Sequence, residues 1–284
     1  MKPSNKLPLA SGAHVGGCLL AMKTMYPQLT RREKQIADYL RNHDDVIFQS
    51  ITEVVRRSGV GYGTMMRFCR RLGCAGFQEF KIRLTQDLVR HSPRRPAGES
   101  LLEIMAARAK AELNDTLQLL SLPTIIKAAR ALAGARHVLC IGCGGSAVTA
   151  HEIEYRLSRL GIPAAASADN HMQRIRAVLL SARDVLFIVS ASGSTKEVLA
   201  AGTLARQAGA TVLGLTNFSK SPLVGLADIT LVTASHANPL EAEIASRITM
   251  EFALDALCCE ISIIKKDAAR CILKTFKSVA DRQW

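Results

Sequence analysis

Beyond Ala133 the chain alternates between two kinds of segment, and this alternation restricts its fold more than any other feature. Short apolar runs at His137–Ile141, Pro163–Ala166, Val185–Val189, Thr211–Leu215 and Ile229–Val232 are separated by stretches with apolar residues at helical spacing. Strands that are apolar throughout have no face to leave in water, so they predict a parallel sheet covered by helices on both sides. Right-handed crossovers make this a three-layer, doubly wound parallel-sheet α/β domain. In such sheets ligands bind beyond the carboxyl ends of the strands.

Two strand ends carry unusual loops. The run ending at Val189 enters Ser190-Ala191-Ser192-Gly193-Ser194-Thr195, after which a helical pattern starts at Lys196-Glu197. The first N–H groups of a helix have no partner within it, and its dipole favours an anion there. One hydroxyl suffices to cap a helix, whereas four within six residues point to an anion site. Upstream, Gly142-Cys143-Gly144-Gly145-Ser146 follows the first strand and opens a second helix. The two loops are expected to converge on one ligand, held by Gly142, Gly144, Ser146, Ser190, Ser192, Gly193, Ser194, Thr195 and Glu197.

Other chemistries are weaker readings. Gly142 to Ala147 fits the G-x-G-x-x-A dinucleotide fingerprint, but its acidic partner, Asp169, falls slightly beyond the next strand. Cys140 and Cys143 form a C-x-x-C, yet Cys140 lies inside an apolar strand and no second pair completes a zinc set. The eight cysteines read as reduced thiols, since a chain this long needs no disulfide framework. Glu241, Glu243, His151, His171 and His236 are bases by type only. No catalytic residue, metal or cofactor is expected.

The formal net charge of +13 is unevenly spread. Residues 1–98 hold 17 Lys and Arg against 7 Asp and Glu, and the remainder holds 20 against 17. A basic first third suggests nucleic acid as its partner. The patterning there is helical. Thr30 and Glu33 have the spacing of a capping box, and Ile36, Ala37, Tyr39 and Leu40 form one apolar face. Ser50–Arg57 and Tyr62–Leu72 flank Ser58-Gly59, with Gly73 ending the second helix, which makes a helix-turn-helix. Met65, Phe68, Cys69 and Leu72 are spaced to pack inward. Thr64, Arg67, Arg70 and Arg71 face out toward a major groove, and the expected DNA contacts are these four with Tyr62 and Lys81. Residues 1–24 read as a flexible arm, 25–90 as the helix-turn-helix domain, 91–99 (rich in Pro and Arg) as a linker and 100–284 as the α/β domain. No apolar run reaches the roughly 18 residues of a membrane span, so a cytoplasmic protein without a membrane partner is expected.

Two motif sets in this order resemble a known family. Gly142-x-Gly144-x-Ser146, Ser190-x-Ser192-Gly193-x-Thr195-x-Glu197, Leu215-Thr216-Asn217 and Ser221-Pro222-Leu223 resemble the sugar isomerase (SIS) domain. Val60-x-x-x-Thr64-x-x-Arg67-Phe68, then Leu72-Gly73-x-x-Gly76-Phe77-x-Glu79-Phe80-Lys81, resembles an RpiR-type bacterial transcriptional regulator. The resemblance implies a regulator that binds a double-stranded DNA operator, senses a phosphorylated sugar, controls carbohydrate genes and forms a homodimer or homotetramer. It also implies that Ser146, Ser190, Ser192 and Thr195 hold the phosphate. The alternative is a phosphosugar isomerase or lyase with an accessory DNA-binding domain. Gly61 and Gly63 depart from the family pattern, which has polar residues there.

Overall fold

The computed structural model describes residues 17–43, 46, 47, 49–90, 100–236 and 247–280. These fall into two compact units, one within 17–90 and the other made of 100–236 and 247–280. The predicted linker 91–99, the first sixteen residues, and Glu241 and Glu243 lie outside the described residues.

The first unit is helical: α1 (Cys18–Met25), α2 (Arg31–Arg41), α3 (Ile51–Ser58), α4 (Tyr62–Arg71) and α5 (Phe77–Arg90). Its core gathers Ile36, Val54, Met65, Phe68, Phe80 and Leu84, with Phe68 and Phe80 edge to face at 6.3 Å between ring centroids. From Cys18 on, helix α1 stands in place of the flexible arm expected over residues 1–24. Its N-cap is Gly17, which has no side chain to signal a helix start. The cap comes instead from α5, where the buried Asp87 carboxylate accepts the Leu19 N–H at 2.8 Å. Cys18, Ala21 and Met22 are buried in the same core.

The second unit opens with α6 (Leu101–Leu119) and α7 (Leu122–Ala133). Strands and helices then alternate: β1 (His137–Ile141), α8 (Gly145–Arg159), β2 (Ala164–Ser167), α9 (Asn170–Val178), β3 (Asp184–Val189), α10 (Lys196–Gln207), β4 (Thr211–Thr216), α11 (Pro222–Leu226) and β5 (Ile229–Val232). Helices α12 (Ile248–Ile264) and α13 (Ala268–Ala280) follow. All strand pairs are parallel, in the order β2-β1-β3-β4-β5. The first segment after β1 leads to an edge strand on one side, and the chain then returns to β3 on the other. The order therefore reverses between β1 and β3, which is the switch point where ligands bind in open sheets.

Alternate residues of the central strands enter two cores. Val138, Cys140, Val185, Phe187 and Val189 pack against α7, α8 and α12. Leu139, Ile141, Leu186 and Ile188 pack against α9, α10 and α11. At the opposite end of the sheet from the loops, the Arg136 guanidinium grips the buried Asp184 with two hydrogen bonds, 2.9 and 2.6 Å, and clips β1 to β3. The Arg136 bonds are the largest influence on the Asp184 carboxyl. They outweigh its burial and, with the Ser181 hydroxyl and N–H, hold it down to about 2.

A carboxyl held below its unfolded value adds stability above about pH 4, and this is lost as pH falls through the folded value. Arg136→Ala is expected to lower stability at pH 7, because it takes the guanidinium from the buried Asp184 carboxylate. It should also flatten the stability loss between about pH 4 and 2. Urea unfolding at several pH values checks both.

Candidate functional site

In the first unit α3 ends at Gly59, whose φ of 69° is left-handed, and two residues later Gly61 opens α4. Met65, Phe68, Cys69 and Leu72 are all buried, which confirms the predicted inner face. Tyr62, Arg67 and Arg70 are exposed and Thr64 is half-buried, on the side away from that core. Gly61 caps α4 without a side-chain bond, and a Cβ on Gly61 or Gly63 would meet nothing within 4 Å. Glycine is therefore not required sterically at either position.

Arg71 and Lys81 are engaged inside this unit. Arg71 pairs with Glu33 at 3.1 Å and donates to the Gln28 carbonyl at 2.9 Å. Glu33 is the buried partner in the Thr30 capping box. Burial pushes the Glu33 carboxyl up, and the bonds from Thr30 and the Arg71 charge outweigh it and hold the group below its usual range. Lys81 donates to the Gln49 carbonyl at 3.1 Å and sits over the Phe77 ring. Both residues brace the helices that present α4.

In the second unit the two loops meet at the switch point. The Ser146 hydroxyl accepts the Ala191 N–H at 3.3 Å, joining the loop after β1 to the loop after β3. Gly144, the N-cap of α8, and Thr195, the N-cap of α10, make no side-chain cap bond. The excess hydroxyls thus do not serve as helix caps. Ser190 is buried with its hydroxyl 3.3 Å from that of Thr195, and the Ser192 hydroxyl accepts the Ser194 N–H at 3.2 Å. Two helix N-termini and this set of hydroxyls lie side by side in a cradle, an arrangement of donors whose chemistry suits an anion.

The strand order also explains how the loop after β3 keeps its shape. The Asn217 and Leu223 N–H groups donate to the Ala191 and Gly193 carbonyls, each at 3.0 Å, and the Thr216 hydroxyl donates to the Ala191 carbonyl at 3.3 Å. Gly193 has φ 61°, and a Cβ there would lie 2.1 Å from the Ser221 hydroxyl oxygen. Among the described residues that oxygen, which is buried, has no hydrogen-bond partner. On Gly142 a Cβ would lie 2.5 Å from the Ser146 carbonyl oxygen.

Beside the cradle lies a cavity of about 390 Å³ lined by Asn170, His171, Arg174, Lys196, Glu197 and Ala200. The Cys143 thiol reaches it through Asn170 Oδ1 at 3.0 Å, and Gln173 holds the Gly142 and Ser167 carbonyls at 2.9 Å each. Sequence reasoning missed Asn170, Arg174 and Gln173, because α9 carries no motif and only its packing beside α10 brings them to the loops. It also missed Arg247, whose guanidinium would lie 3.9 Å from a Cβ on Gly145. Burial pushes both Cys140 and Cys143 thiols up, away from the thiolate that redox or metal chemistry requires. His151 lies 3.8 Å from Glu154 on α8, and His236 lies 2.8 Å from Asp115. Of the three histidines considered from sequence, all among the described residues, His171 lines this cavity.

Residues 16–91 match the model of the helix-turn-helix domain, rpiR family, and residues 131–259 match that of the SIS domain. An uncharacterized HTH-type transcriptional regulator of Haemophilus influenzae is 32% identical over 259 residues, covering 86% of this chain and 90% of that protein. The bifunctional protein glk of Burkholderia orbicola is 32% identical over 270 residues, covering 92% of this chain and 42% of that longer protein. Among solved structures, the Vibrio vulnificus NanR protein complexed with ManNAc-6P has a TM-score of 0.80 and 29% identity, covering 94% of this chain and 99% of that one. The sugar isomerase domain of the RpiR transcription factor from Sphaerobacter thermophilus has a TM-score of 0.59 and 25% identity, covering 65% and 100%.

Gly193→Ala combines a left-handed φ with a clash, so it is expected to destabilise the second unit by about 1–3 kcal/mol. Denaturant unfolding would report the loss, and an unchanged midpoint would mean that the loop adapts freely.

Proposed function

The chain belongs to the rpiR family of helix-turn-helix regulators, and from that premise we propose that it reads a double-stranded DNA operator with α4 and senses a phosphorylated sugar in the cradle between β1 and β3. It thereby controls carbohydrate-metabolism genes. The observation that carries this reading is the Ser146–Ala191 bond, which joins the two loops that open onto helices α8 and α10, where no side chain caps the helix start. The ManNAc-6P complex of the V. vulnificus protein supports the ligand class.

In this reading Ser146, Ser190, Ser192 and Thr195 bind phosphate, Gly142, Gly144 and Gly193 allow close approach, and Ser194 and Glu197 complete the site. Tyr62, Thr64, Arg67 and Arg70 face the DNA, and Arg71 and Lys81 support them from within. The DNA-binding unit extends from Cys18 to about Arg90, residues 91–99 link it, and 100–284 form the SIS unit. The protein works as a homodimer or homotetramer, which the exposed apolar residues Met172, Ile175 and Val178 on α9 and Leu179 at its end support. It acts in the cytoplasm, where the operator is, and no helix among the described residues is long and apolar enough to cross a membrane.

The regulator performs no turnover in this reading. A phosphosugar isomerase is the second reading, favoured by His171 and Glu197 lining one cavity. Incubation with hexose and pentose phosphates separates the two: product formation that Glu197→Gln abolishes would establish the enzyme.

Removing one phosphate-contacting charge should reduce the salt slope of DNA binding by about one unit. That result is expected for Arg70→Ala in operator titrations across a salt series. Arg71→Ala is expected instead to lower stability by about 1 kcal/mol, because it strips Glu33 of its partner.

Ser192→Ala removes a hydroxyl from the cradle, and hydrogen bonds to a charged phosphate are worth about 1.5–3 kcal/mol. Effector affinity should fall about tenfold or more, with ligand-free DNA binding unchanged. By linkage the effector concentration that alters DNA binding rises by the same factor. An operator titration across an effector series measures this, and an unaltered response would place the phosphate elsewhere.

A further inference from the structure

The cavity beside the cradle carries charge that a single phosphate does not use. One wall is Lys196, Glu197 and Ala200 on α10, and the other is Asn170, His171 and Arg174 on α9. Two cations therefore face a single carboxylate. Among the described residues neither Arg174 nor Lys196 has a hydrogen-bond or ion-pair partner. Arg136, Arg156 and Arg176 of this unit are occupied, by Asp184, by Glu152 and Glu251, and by the Ala166 carbonyl, whereas Arg174 shares its cavity wall with Asn170 and His171.

The cations differ in place. Lys196 is the first residue of α10, directly after Thr195, so its charge reinforces the cradle. Arg174 stands one turn into α9 on the far wall. From Lys196 to Ala200 α10 advances about 6 Å, so the cavity extends a full helical turn beyond the cradle, a length that a hexose-sized chain bridges. Asn170, His171 and Glu197 suit sugar hydroxyls, but a neutral sugar offers a guanidinium nothing to neutralise. The planar fork of arginine pairs bidentately with carboxylate or phosphate.

Building on the phosphosugar reading above, we infer that the ligand is a sugar phosphate with a second anionic group at the other end of its carbon chain, seated on Arg174. A carboxylate and a second phosphate share the chemistry this site recognises.

Calorimetric titration of the full chain at constant ionic strength tests this with matched pairs. Gluconate 6-phosphate and glucitol 6-phosphate differ only in a carboxylate against a hydroxymethyl group. Glucose 1,6-bisphosphate and glucose 6-phosphate differ only in the second phosphate. The doubly anionic member of at least one pair is expected to bind about tenfold tighter or more, and the pair that shows it identifies the second group. Arg174→Gln, at an exposed position, should collapse that ratio to about twofold or less. Equal affinities within both pairs overturn the inference while leaving the phosphosugar reading intact. A preference that survives Arg174→Gln overturns the seat on Arg174. Binding of neither the singly nor the doubly anionic members overturns the phosphosugar reading itself and this inference with it.

Discussion

Strand β3 is buried along its whole length, and a strand with no face in water has to lie inside a sheet with helices on both sides. Burial of this one segment arranges the rest of the second unit. It needs a parallel neighbour on each edge, which β1 and β4 supply in continuous register. With β2 on the far side of β1, the chain reverses direction through the sheet between β1 and β3. Their two loops then open side by side, and each leads into a helix on a different face: α8 packs in one core and α10 in the other. The cradle follows from the burial demands of the strands beneath it.

The loops after β1 and β3 present N–H groups and neutral hydroxyls, with Lys196, Glu197 and Arg174 lining the cavity beside them. Hydroxyls and a helix dipole hold a phosphate without the desolvation cost of burying a cation. Rigidity matters for such a site, because weak donors are effective only when already aimed. Here β4 and the segment up to α11 fix the loop after β3 through the Ala191 and Gly193 carbonyls. Gln173 fixes the glycine loop after β1 in the same way, from α9. Lys196 and Arg174 line the cavity beside these loops.

The first unit solves a different problem, the display of one helix. Met65, Phe68 and Cys69 anchor α4 in the core, and Glu33, held by Thr30 and Arg71, ties α4 to the start of α2. This bond gives one arginine of a basic helix a partner within the protein. Asp87 performs a related task at the start of α1, where a glycine leaves the first turn uncapped by its own sequence.

Local chemistry made much of this legible in advance. The apolar strands, the Thr30–Glu33 box, the inner face of α4 and the two Gly- and Ser-rich loops depend on spacing and propensity within a few residues. Sequence therefore determined the fold class and the pairing of a helix-turn-helix with a doubly wound sheet. Tertiary structure decided what depends on residues far apart in the chain. It made residues 18–25 a helix, because Asp87 caps them from 68 positions away. It paired Arg71 with Glu33, 38 positions upstream, and it placed Arg174 and His171 across a cavity from Glu197 because α9 packs beside α10. Such contacts leave no periodic trace in the chain, since they arise only when packing brings separate elements within hydrogen-bonding reach.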